Sequence, residues 1–367
     1  MERYQYIIDY FENSPPIIQL VWIVSGIFFV IIIFLIIYLK FLRYNLRKNE
    51  KIEAQYKKEY ESQLISYLYA GNEEEEISAE QQEIINKLKS CITDKFKRRI
   101  VVSTLVRLRN EISGEMAEAI QKLYFQTGLI NYALPRLNSK RWYIVAKGIK
   151  ELKQFQVKEV YNEIVIHVNH PKREVRNESQ LYLVTLFHFE GLKFLDVLQT
   201  PLSEWDQIQL LEVLQKFDDQ EIPDIKPWLK STNDSVVIFA LKLAKIYNQF
   251  EVKEALIELL NHKNKKIRVD VILVISDLQV VEAKSILKNN FEKLSIEEQI
   301  AFFKLLENSY ESTDESFLLA HITHKNFEIK LAALKILKIL DIEKFVGLKE
   351  ESTEPEFMKI YNFVENN

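Results

Sequence analysis

Asn264 to Leu278 read NKKIRVDVILVISDL. An aliphatic anchor, Ile267, is followed at once by a basic residue, Arg268, and four residues after the anchor comes Val271. The same order, read from the turn before each helix, recurs in KRWYIVAKGIKEL from Lys140, HPKREVRNESQLYL from His170, TNDSVVIFALKLAKI from Thr232 and KNFEIKLAALKILKI from Lys325. The anchors are Ile144, Val175, Val236, Ile267 and Ile329, separated by 31, 61, 31 and 62 residues. A repeat of about 31 residues therefore runs through this region, with one unit hidden in each double step. PLSEWDQIQLLEVLQKF from Pro201 and SIEEQIAFFKLLENS from Ser295 fill the gaps, each one helix long with a cap signal at its start.

Four residues after the anchors stand Gly148, Ser179, Ala240, Val271 and Ala333, mostly small, as required where paired helices approach closely. One residue after three of them stand Arg176, Arg268 and Lys330. Each unit has a preceding helix, such as EVYNEIVIHV, EVKEALIELL or ESFLLAHI, so the module reads helix, short turn, helix. On these residues the chain resembles the HEAT repeat family, over roughly residues 130 to 345. It departs from the pattern where Val145 and Val237 replace the basic residue and where the two hidden units lack the small position. The resemblance implies an all-α fold, a HEAT-type solenoid of about seven helix-pair repeats over residues 131–346. Composition agrees: only seven glycines and eight prolines occur in 367 residues, so tight strand turns are scarce.

Outward from the repeats, Ile17 to Leu39 form 23 residues without formal charge, about 34 Å of helix, enough for a hydrocarbon core of about 30 Å. Glu2, Arg3, Asp9 and Glu12 precede this run, whereas Lys40, Arg43, Arg47, Lys48, Lys51, Lys57 and Lys58 follow it, against Glu50 and Glu53. Basic flanks stay on the cytosolic side, so the expectation is a single-pass cell-membrane (inner or cytoplasmic membrane) protein with its N-terminus outside. The charge order is the reverse of a secretory signal, which reads as an uncleaved anchor. The expected organisation is an extracytoplasmic segment (1–16), a transmembrane helix (17–39) and a charged juxtamembrane helix with an acidic linker, GNEEEE (40–77). Capping helices (78–130), the repeats (131–346) and a C-terminal cap and tail (347–367) follow. In the juxtamembrane helix Ile52, Tyr56, Tyr60, Leu64 and Leu68 form an apolar stripe. It either docks on the chain's own first repeats or pairs with a second copy as a short coiled coil. Ser78 and Gln81 have capping-box spacing.

Candidate chemistry is thin. The single cysteine, Cys91, forms no internal disulfide and reads as an apolar filler. His170, His262 and His324 lie 92 and 62 residues apart, near whole periods, and so read as one repeated turn position. Some HEAT-like proteins are metal hydroxylases that place His next to Glu in paired repeats, yet no histidine of this chain precedes a glutamate. Closely spaced phosphate-binding glycines, GxSxG and HExxH are absent. The expectation is no enzyme, no catalytic residue, no cofactor, no metal and no small-molecule substrate.

Charge is the more useful clue. Asn86 to Lys153 hold fifteen basic and five acidic residues, net +10, and Pro201 to Leu260 hold six and eleven, net −5. Lys40, Arg43, Arg47 and Lys48 are candidates for an anionic membrane surface, and Lys97, Arg98, Arg99, Arg107, Arg109, Arg136, Lys140 and Arg141 for a basic lipid- or partner-binding surface. Trp142, Trp205 and Trp228 are candidate interface aromatics, each equally readable as core. The function expected is a membrane-anchored scaffold or accessory subunit. Its partners would be the bilayer and a protein, such as a membrane glycosyltransferase or another envelope-biosynthesis enzyme. The alternatives are a membrane-associated enzyme with dispersed active-site residues and, more weakly, a nucleic-acid tether.

Overall fold

The computed structural model describes residues 15–70, 77–217, 222–351 and 354–366. The acidic residues before the apolar run and the GNEEEE linker lie outside these. Among the described residues the chain is helical, with no strand, and it divides into two compact units, residues 1–133 and 134–367.

The first unit is built on α1 (Pro16–Tyr69), 54 residues long with proline at its first position. The apolar run and the charged juxtamembrane segment are thus one uninterrupted helix. Its most apolar window has a mean hydropathy of 3.2 and no buried residue, and it is the one described helix long and apolar enough to cross a membrane. Farther along, Tyr60, Leu64 and Tyr67 are buried and Ile52, Tyr56 and Leu68 half-buried. They pack on α2 (Ala79–Cys91) and α3 (Lys95–Glu111), while the Tyr67 hydroxyl donates to Gln126 at the end of α4 (Glu115–Gln126). The apolar stripe thus docks within the chain, but on the helices expected as caps and not on the first repeats. A full capping box at Ser78, with Gln81, starts α2. Asp94 caps α3, and the short α5 (Ile130–Ala133) ends the unit.

Up to Leu340 the described residues of the second unit form seven longer helices: α6 (Trp142–Gln154), α8 (Arg173–Phe187), α9 (Glu204–Leu214), α11 (Asp234–Ile246), α13 (Lys265–Asp277), α15 (Ile296–Ser309) and α17 (Phe327–Leu340). Between them stand shorter pieces, α7 (Tyr161–Val165), α10 (Lys226–Leu229), α12 (Lys253–Leu259), α14 (Glu282–Asn289) and α16 (Glu315–His321), several extended by 3-10 turns. Two final helices, α18 (Ile342–Glu351) and α19 (Pro355–Asn366), pack on α17. Long helices lie on one another, α6 on α8, α8 on α9, α11 on α13, α13 on α15 and α15 on α17. The expected even helix pairs are therefore unequal. EVYNEIVIHV yields five α-helical residues and a 3-10 turn, and the segment after α8 is 3-10 throughout (His188–Val197). There Gly191 lies so close to the α8 backbone that a Cβ would collide with the Leu183 carbonyl.

The periodic residues have definite roles. Val175, Val236, Ile267 and Ile329 are fully buried, whereas Ile144 is half-buried and Val145 is buried beside it. All five anchors stand three residues after the helix cap. His170, His262 and His324 share one turn geometry, each accepting at Nδ1 the backbone N–H two residues on, at 3.0–3.1 Å. At the far ends, Gln156, Asn248 and Gln279 take φ near +50° and close Schellman turns from Val157, Gln249 and Val280 back to Leu152, Ala244 and Ile275. Glycine is the usual occupant there, so these helix stops are hidden in a glycine-poor sequence.

Candidate functional site

In two of the units the residue after the anchor is a clamp. Arg176 Nη1 donates to the His170 and Pro171 carbonyls, and Arg268 Nη1 to those of His262 and Lys263, tying each helix to the turn before it. Arg98 makes the same pair of bonds to Ile92 and Thr93 in the first unit, with its guanidinium 4.0 Å over the Tyr132 ring. In the two hidden units the position is Gln207 and Gln299, whose amides donate to the Leu202 and Phe291 carbonyls. Arg98 is thus a structural clamp and not the free surface cation its place in a basic stretch suggests.

Other members of the expected basic surface are similarly engaged. Lys97 lies over the Tyr56 ring, Arg99 pairs with Glu53 at 2.9 Å, and Arg107 with Glu61 at 2.5 Å. Arg109 is half-buried, and desolvation lowers its pKa from the ordinary arginine value. In the second unit Arg136 reaches the buried Glu151 at 2.6 Å, while Lys140 and Arg141 stay exposed. The physical reason is that cations flanking an apolar stripe bury their stems and turn their heads to the nearest carboxylate or carbonyl. By contrast Lys40, Arg43, Arg47 and Lys48 are exposed on α1 and form no ion pair among the described residues.

The tryptophans separate. Trp228 is core, 4% exposed, its indole N–H donating to Asp196 at 2.7 Å. Trp142 is 38% exposed, and Trp205 is 61% exposed with Ile208 one turn on at 52%. Trp205 and Ile208 make an apolar pair on the open side of α9, beside residues that bind the neighbouring helices.

The acidic stretch is paired in part, and two of its own lysines reach carboxylates beyond it. Arg173 reaches Ser203 and Asp206, Lys230 reaches Glu258, Lys245 reaches Asp277, and Lys253 reaches Glu282. Lys266 in the first turn of α13 pairs with Glu204 in the first turn of α9 at 2.9 Å, 62 residues and two periods away. Asp270 lies one turn along, and burial raises its carboxyl against the pull of Lys266 and Lys242. The sequence carries no signal for this cluster, since a repeat of one period foretells neighbours and not contacts across two. A polar depression of about 640 Å³ runs past Asp196, Gln199, Asn233, Asp234 and Lys263. Its carboxylates are already held, Asp196 by Trp228 and Asp234 by Asn264. Among the described residues no group of three or more His, Cys, Asp or Glu side chains is placed to hold a metal ion.

Three buried carboxylates make the unit acid-sensitive. Burial tends to raise Asp206, Glu298 and Asp314, but hydrogen bonds from Ser203 and Arg173, from Arg268 and Ser295, and from Lys284 and Lys288 outweigh it, so all three are lowered. A carboxyl depressed in the folded state contributes stability above its unfolded pKa, about 4, and loses it as pH falls through the folded value. We expect a melting temperature that is flat from pH 6 to 8 and falls steeply below about pH 4. A flat profile down to pH 3 in a calorimetric scan would refute the role given to these pairs.

No family model matches the sequence. No curated protein matches it either. Among solved structures, an engineered protein is similar over 84% of this chain and 98% of its own, at 14% identity and a TM-score of 0.35. Human deoxyhypusine hydroxylase in complex with glycerol is similar over 77% of this chain and 97% of its own, at 12% identity and a TM-score of 0.29. Likenesses this distant carry nothing over to the present chain.

Proposed function

We propose that this protein is a single-pass membrane scaffold. Residues 17–39 of α1 cross the bilayer with the N-terminus outside, and the second unit is a cytosolic HEAT-type solenoid of about seven helix-pair repeats that holds a protein partner, for which a membrane enzyme is our first candidate. The observation that carries the reading is α1 itself. One half is apolar with no buried residue, and the other half, in the same rigid helix, is packed into a folded unit. An unburied apolar face of that length is stable only in lipid or against another protein. Basic residues immediately after the span support the orientation. The recurring turn, clamp and anchor positions support a solenoid, because each unit buries its apolar face only against its neighbours. For the partner surface we single out Trp205 and Ile208, since exposed aromatic anchors carry most binding energy where they are used.

Two measurements test this. Alkaline carbonate extraction should leave the full-length protein in the membrane; release into the supernatant would refute the anchor. Purification of the tagged protein in mild detergent should bring down a stoichiometric partner, and the double variant Trp205→Ala, Ile208→Ala should lose at least about 90% of it, a change of about 1.4 kcal/mol or more. Recovery of a lone, monodisperse protein from native membranes would refute the scaffold reading.

A further inference from the structure

The two ion pairs between α1 and α3 fix their direction. Arg99 meets Glu53 and Arg107 meets Glu61, so both helices advance together and eight residues on one match eight on the other. Extending this parallel register backwards sets Lys95 level with residue 49. Helix α2 runs the opposite way, with Gln81 bonded to the Tyr67 carbonyl and Cys91, at its other end, beside Tyr60. The corner between α2 and α3 is therefore the end of the first unit turned towards residues 17–39.

We propose that this end is a binding surface for anionic phospholipid headgroups, built jointly from α1 and the first turn of α3. The inference rests on the reading that residues 17–39 span a bilayer. At about 1.5 Å per residue, Arg43, Arg47, Lys48 and Lys51 stand roughly 6, 12, 14 and 18 Å beyond Leu39, and Lys95 stands at about 15 Å. The headgroup layer occupies the first 5–8 Å or so. The remaining gap is about one Debye length at physiological salt, and long basic side chains shorten it further. None of these five cations forms an ion pair among the described residues, in contrast to Arg99 and Arg107 behind them. Of the nearby acids, Glu53 is held by Arg99 and Asp94 by the backbone of Lys97, which leaves Glu50 as the counter-charge in reach. Phe41 and Tyr44, 63% and 67% exposed, supply interfacial aromatic rings just past the span. A surface this close to the bilayer plane, and cationic on both contributing elements, fits a layer of phosphates better than it fits a folded partner.

The test uses full-length protein reconstituted in phosphatidylcholine vesicles that contain a trace of spin-labelled lipid. Electron paramagnetic resonance should show spin-labelled phosphatidylglycerol held at the protein several-fold more strongly than spin-labelled phosphatidylcholine. The preference should approach unity in about 1 M salt. Lys95→Glu, far from the span in sequence, should lower it by up to about fivefold, as should Lys48→Glu on the exposed face of α1. Equal affinity for the two lipids in protein that resists alkaline extraction would overturn the headgroup surface while leaving the anchor intact. Release at alkaline pH would instead remove the anchor. Binding of a short DNA duplex in neutral vesicles, abolished by the same two variants, would overturn the assignment in favour of nucleic acid.

Discussion

Replacing Asp314 by alanine is expected to loosen residues 282–321 by about 3–5 kcal/mol, the largest single-residue effect outside α1. The carboxylate is 1% exposed and receives Lys284 at 2.6 Å and Lys288 at 2.9 Å. It also accepts the backbone N–H of Glu311. Lys284 is itself 8% exposed, and its remaining contacts are the Ser309 carbonyl and the solvent-facing Glu311 at 3.6 Å. Alanine therefore strands an ammonium group inside the fold, and the cost is its desolvation more than the lost attraction. Hydrogen exchange resolved by mass spectrometry should show amides of α14 and α16 opening more than 100-fold more often. Joint replacement Lys284→Met, Asp314→Leu removes both charges and should recover most of the loss. Exchange within threefold of the parent in the single variant would refute the argument.

Arg268→Ala is the second large effect, about 3 kcal/mol. The guanidinium makes a two-pronged contact with Glu298, Nε to Oε1 at 2.5 Å and Nη2 to Oε2 at 3.3 Å, while Nη1 holds the turn carbonyls. Glu298 is 3% exposed at its side chain, so removing the arginine leaves a buried carboxylate supported by Ser295 alone. Lysine restores the charge but not the planar fork, and Arg268→Lys should recover less than half. Arg176 supplies an internal control, because it clamps the two equivalent carbonyls of its own turn with no ion pair among the described residues. Arg176→Ala should cost only about 1 kcal/mol. Equal losses at the two positions, measured by exchange in α8 and α13, would show that the carboxylate contributes nothing.

The two arginines also show how far a reading from residues reaches. Arg176, Arg268 and the three turn histidines were legible as periodic positions, and each recurs in one geometry. What the residue does at that position was not legible. A basic residue after an anchor is equally consistent with a solvated cation, and only the carbonyls of the preceding turn, brought within 2.8–2.9 Å, make it a clamp. The charge count places Arg98 on a basic surface, yet it makes the same kind of bonds. Gln207 and Gln299 carry no such signal, since a neutral amide does not resemble arginine in sequence but does resemble it as a donor.

By itself the sequence determined the all-helical class, the apolar run and its basic flank, the helix starts at Ser78 and Ser295, and the repeated turns. These depend on interactions within a few residues or on the summed hydropathy of one segment, so they are written locally. Only the tertiary structure decided that Trp228 is core while Trp205 is exposed, that the juxtamembrane stripe docks on its own chain, and that Glu204 meets Lys266 two periods away. It alone decided that α1 and α3 run parallel. Those outcomes depend on which helix faces meet, and the free energy of burying one face rather than another is a property of the pair of surfaces and not of either strand of residues alone.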